Sequence, residues 1–174
     1  MASYNEHLNQ VKSNIKFLSA INGHANNHID WQVTTCFYIG VHLVNGFLAR
    51  ESNLHFNSHE RVKVAIDPGS INNSTRLDQP TFLAYAKLRN LSRRSRYLCN
   101  SENPTEDIEV AHLIQEKHFI KAFKNLDQLM RFFNIKYMDN YAVTRIAYPF
   151  TLETPNLRYF TFENRRLEAP GQLV

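Results

Sequence analysis

The chain has 174 residues, of which 43% are apolar and 21% charged, and it carries a formal net charge of +4. That length fits one domain with a real core, and 5 Gly and 6 Pro argue against a loop-rich or all-β fold. The charge is uneven: Arg76 to Leu98 holds six Lys/Arg against Asp78 alone, a local basic patch rather than a basic protein.

The two cysteines, Cys36 and Cys99, lie in apolar helical contexts without metal-ligand spacing and read as buried thiols in a reducing compartment. No signal-like apolar run opens the chain, and no segment approaches the length of a membrane span. The expectation is a cytoplasmic protein without membrane association.

Taken in order, Tyr4, Leu8, Val11, Ile15, Leu18 and Ile21 step at helical spacing and predict a first helix from about Tyr4 to Asn22. Ser3 and Glu6 form a capping box, and Gly23 ends the helix before the polar connector at 24–28. The next stretch, Asp30 to Ala49, reads as the central helix, with Asp30 at its N-cap. Val33, Phe37, Val41, Val44 and Leu48 make an apolar stripe on it, while Trp31, Tyr38, His42 and Asn45 make an aromatic and polar one. A short helix capped by Ser58 follows over His59–Ile66, then a loop at 67–74.

Pro80 suits the first turn of a third long helix, Gln79 to Cys99. Ala84, Leu88, Leu91 and Leu98 form its apolar edge, beside a polar edge of Tyr85, Arg89, Ser92 and Arg96. A connector at 100–107 leads into a fourth, about Glu106 to Phe133, whose apolar set runs from Val110, Leu113 and Ile114 to Phe133 with Phe119 at its margin. The last third is rich in Tyr, Phe, Thr and Val, and two of its segments read as short strands around 151–156, a candidate hairpin. The expected fold is an all-α up-and-down bundle of four to five helices over 1–135. An extended C-terminal extension over 136–174 would pack on the bundle or on a partner subunit.

Asp30-Trp31, then FYIGVHLVNGFLA, then SHERV, then FLAYAKLRNLSRRSRY, resembles a bacterial branch of the HEPN superfamily over about residues 30–98. The resemblance implies a helical bundle, a homodimer, and an RNA-directed role. One form of that role is a metal-independent endoribonuclease of toxin or defence type with an antitoxin-type protein partner. The other is a non-catalytic relative that binds RNA or a nucleotide, or serves in protein assembly. An active member needs the ribose 2′-hydroxyl to attack the neighbouring phosphate, a His to move the proton, and an Arg to stabilise charge on phosphorus. The superfamily's Arg-then-His signature has one match, Arg50 to His55, but Glu51 and the position at the end of the central helix both depart from it.

The constellation expected to carry catalysis is therefore His42, His59, Arg61 and Arg96, an imidazole-and-guanidinium cluster suited to phosphate, supported by Asp30, Tyr38, Tyr85 and Ser92. The plain alternative for each is a hydrogen-bonded structural residue. Arg89, Arg93 and Arg94 with Tyr97 form the expected nucleic-acid footprint, or else a solvated face favourable to the helix dipole. No Gly-rich phosphate loop is present, and the histidines at 24, 28, 55, 59 and 118 show no zinc spacing, so no cofactor or metal is expected.

Overall fold

A computed structural model describes residues 2–23, 28–70, 73–97, 115–150 and 153–164. Within them lie five helices, α1 (Tyr4–Gly23), α2 (Ile29–Ser52), α3 (His59–Ile66), α4 (Gln79–Tyr97) and α5 (Gln115–Tyr137), and two strands, β1 (Thr144–Tyr148) and β2 (Phe160–Asn164). The fold is the expected all-α bundle with a C-terminal extension. Cys99, Leu98, Val110, Leu113, Ile114 and the connectors at 24–27 and 100–107 lie outside the described residues.

α1 begins as the capping box requires: Ser3 N donates to Glu6 Oε2 (2.7 Å) and Glu6 N donates to Ser3 Oγ (3.3 Å). α2 packs against α1, α4 and α5, so it is central. Val33, Phe37, Val44 and Leu48 are fully buried and Val41 nearly so, whereas Trp31 and Tyr38 on the neighbouring stripe are exposed. Asp30 is not the N-cap: the helix starts at Ile29 with His28 before it, and Asp30 sits exposed in the first turn. There its carboxylate still favours the positive end of the helix dipole. α2 ends where Asn53 turns left-handed (φ 51°) and donates its N–H to Ala49 O, a conformation asparagine tolerates. That reversal carries Leu54 and His55 back along the helix.

Ser58 does precede α3, but its side chain makes no capping bond. α4 is capped by Asp78, whose Oδ1 accepts from Thr81 N (2.7 Å). Of the expected polar edge on α4, Tyr85 and Ser92 are fully buried, because α4 packs on both α2 and α5. α5 runs to Tyr137, one turn past the expected end, and Phe119 is core.

The two strands form as expected but pair in parallel, Thr144 opposite Phe160, so they are joined by a crossover and not by a hairpin turn. Phe160 and Phe162 of β2 meet Phe123 of α5 edge-on, at 5.0 and 5.6 Å between ring centroids. Asp127, buried on α5, accepts from Tyr159 N (2.8 Å), which fixes β2 to the helix. Asn22 at the end of α1 bonds both backbone groups of Ala147, accepting from its N–H (2.7 Å) and donating to its carbonyl (3.0 Å). The described part of the extension thus packs on the bundle. No helix among the described residues is long and apolar enough to cross a membrane.

Candidate functional site

Tyr38, His42, Gly46 and Arg50 recur every four residues and so share one face of α2. Gly46 lets α1 come close: a Cβ there would lie 3.3 Å from His7 Cβ and 3.5 Å from the Tyr4 ring. His7, 4% exposed, is thereby pressed into the helix interface. Its Nδ1 lies 3.1 Å from Nδ1 of His42 and its Nε2 lies 3.2 Å from Nδ1 of His55. A neutral imidazole has one N–H and one acceptor, so His7 donates to one neighbour and accepts from the other. Burial first, then the neighbouring imidazoles, lowers His7 to about 4; burial and then His55 lower His42. His7, at the centre of the trio, is therefore uncharged at neutral pH.

Next to this trio, the Arg50 guanidinium is held between the rings of Tyr4 (4.9 Å) and Tyr137 (4.3 Å). Tyr137 donates to Glu51 (2.7 Å), and the carboxylate of Asp139 accepts from both Tyr4 and Tyr141. Both ends of the Arg50-to-His55 match therefore reach the α1–α2 seam, one in an aromatic clamp and the other against His7. Sequence reasoning passed over His7, although its spacing from Tyr4 and Val11 puts it on the inward face of α1.

His59 belongs to a second group. The first residue of α3, it sets its ring against Phe37 (5.1 Å) and, edge-on, against Tyr38 (6.5 Å). Burial, then Arg89 and Arg96, hold its imidazole below the ordinary histidine range. Arg89, with a side chain only 12% exposed, donates to Glu60 (3.0 Å). Arg96 lies with its guanidinium 5.9 Å from the Tyr38 ring and 4.9 Å from the Tyr97 ring, and its Nε donates to Ser92 O (3.3 Å). Beneath it the hydroxyls of Tyr85 and Ser92 are buried with no hydrogen-bond partner among the described residues.

The expected constellation is thus divided. His59 and Arg96 come together around Tyr38, with Arg89, Tyr85 and Ser92 as neighbours. His42 turns instead to His7 and His55. Arg61 is exposed two residues beyond His59 and lines a separate hollow with Leu54, Phe56 and Val64. The arginine run divides as well. Arg89 and Arg96 are seven apart and face His59, while Arg94 turns to α5, where its Nη1 lies 3.4 Å from Nε2 of His118. Arg93 is half-buried, Tyr97 is largely exposed over Arg96, and Asp30 lies two turns before Tyr38 and takes no part.

Among the described residues no group of three His, Cys, Asp or Glu side chains is placed to hold a metal ion. The histidine trio shows why: His7 meets its two neighbours through different ring nitrogens, so the three do not converge on one point. No family model matches the chain, and no curated protein or solved structure is significantly similar to it.

Proposed function

We propose that the chain is a HEPN-like, RNA-directed protein that cleaves RNA without a metal ion, with His59 and Arg96 at the reacting phosphate. The observation that supports this is an imidazole, His59, kept neutral by burial and by Arg89 and Arg96, with His59 and Arg96 both set against one exposed tyrosine, Tyr38. A neutral His59 can take the proton from the ribose 2′-hydroxyl, and Arg96 can meet the charge growing on phosphorus. Tyr38 and Tyr97 offer faces on which the flanking bases stack, and Arg89 and Arg93 extend the positive surface, whereas Arg94 faces α5. A toxin- or defence-type role, an antitoxin-type partner, a homodimer and a cytoplasmic setting belong to the same reading.

Cleavage of single-stranded RNA is expected to persist in EDTA and to fall by about a hundredfold or more in His59→Ala and in Arg96→Ala. Full activity in both variants would overturn the assignment. Since His59 must be neutral to act, the rate should drop as the pH falls through its lowered pKa. Removing the Arg96 charge should move that midpoint upward.

A second reading, a non-catalytic binding module, rests on a separate observation. Arg89 is neutralised by Glu60, and Arg96 already spends contacts on Tyr38, Tyr97 and Ser92. It predicts RNA or nucleotide binding without turnover that weakens steeply as salt is raised.

A further inference from the structure

Between α4 and α5, on the other flank of α4 from His59, lies an open hollow of about 540 Å³. Lys87 and Arg94 face it from α4, Lys121 and Lys124 from α5, and Leu91 and the buried His118 stand among them. The spacing explains the convergence. Lys87, Leu91 and Arg94 lie at i, i+4 and i+7, and Lys121 and Lys124 at i and i+3, so each set follows one helix face. Four basic side chains therefore confront one another across a groove, and no lining side chain among the described residues is acidic.

Such a confrontation raises the energy of the free protein, because like charges share a concave surface with partly reduced solvent. No ion pair relieves Lys87, Lys121 or Lys124 within the described residues. One nitrogen of the Arg94 guanidinium lies 3.4 Å from His118, and the side chain lines the hollow.

We propose that this hollow is a binding site for a short run of linked phosphates, a diphosphate or triphosphate group. Its volume lies in the range of ligand pockets and exceeds what one phosphate fills. Among the described residues the lining has no Phe, Tyr or Trp, and its one ring, the His118 imidazole, is buried and turned to Arg94, so the lining favours phosphate over nucleobase. Lysines and one arginine set on two helices bring charge from both sides of an anion chain. The site stands independently of the cleavage assigned to His59.

Calorimetric titration of the full chain with inorganic tripolyphosphate, at low and at physiological salt, tests it. Binding is expected to be about tenfold or more tighter than for orthophosphate. Lys121→Glu combined with Lys124→Glu should weaken it by about tenfold or more, and the same pair changed to Gln by a smaller factor. Both lysines are exposed, so melting curves should stay in place; if the Glu pair does not fold, the Gln pair with Lys87→Gln carries the comparison. His59→Ala should bind tripolyphosphate as the parent does while losing cleavage, which separates the two assignments. A parent that shows no tripolyphosphate binding at low salt overturns the proposal, as does unchanged affinity in the folded lysine variants. An RNA oligonucleotide held through Lys121 and Lys124 by a chain that ignores tripolyphosphate would also overturn it, in favour of a path for the strand.

Discussion

His7 reaches the α1–α2 interface by hydrogen-bonding on both sides of its ring, to His42 and to His55, and this makes the fold sensitive to acid. Its folded pKa of about 4 is below the value of 6.5 expected once unfolded, so the unfolded chain binds its proton first. The contribution is complete above pH 6.5 and is lost as the pH falls toward 4, amounting to roughly 3 kcal/mol at most. Urea midpoints measured across that window should fall with pH, and His7→Gln should flatten the slope. A level midpoint in the parent would show that the trio is not coupled to folding. At this scale the sequence was only partly legible. Histidine is counted as polar in any periodicity, so an inward-facing imidazole at position 7 left no mark. Its partners His42 and His55 become visible only when two helices and a reversal at Asn53 are assembled.

Among the elements, α2 depends on two glycines that differ in what surrounds them. A Cβ at Gly40 would press on the Cδ1 methyls of Leu129 (3.0 Å) and Leu88 (3.3 Å), far ends of side chains that can shift. At Gly46 the obstacle is His7 Cβ, fixed to the α1 backbone (3.3 Å). Gly40→Ala is therefore expected to lie near neutral, since a helix gains about 1 kcal/mol on replacing glycine by alanine. Gly46→Leu should destabilise by roughly 1–3 kcal/mol by forcing α1 away. Thermal melting of the two variants checks the ordering, and equal midpoints would refute it. The helices themselves were legible, because each shows one continuous apolar phase. The direction of the strand pair was not. Alternation marks a strand without naming its partner's direction, and the eleven residues 149–159 are far longer than a two-residue hairpin turn needs. The division of the arginine run was readable in principle, since Arg89 and Arg96 share a phase that Arg94 does not.

Across the whole molecule, α2 separates three chemically distinct regions: the histidine trio toward α1, the His59–Arg96 rim toward α3 and α4, and the basic hollow beyond α4. The extension adds a fourth feature. Two parallel strands alone are a weak sheet, and here β1 has β2 on one side and the carboxamide of Asn22 on the other. That single side chain occupies one N–H and one C=O as a third strand would, so at Ala147 it acts as a stopper on the edge that faces α1. Asn22→Ala would unplug it without touching the core contacts of β2. The expected result is association that rises with concentration, seen by light scattering, together with faster hydrogen exchange at the Ala147 amide. Unchanged particle size and exchange would mean that the edge is guarded elsewhere. An amide at a helix end, on these terms, is what keeps a strand from recruiting its neighbours.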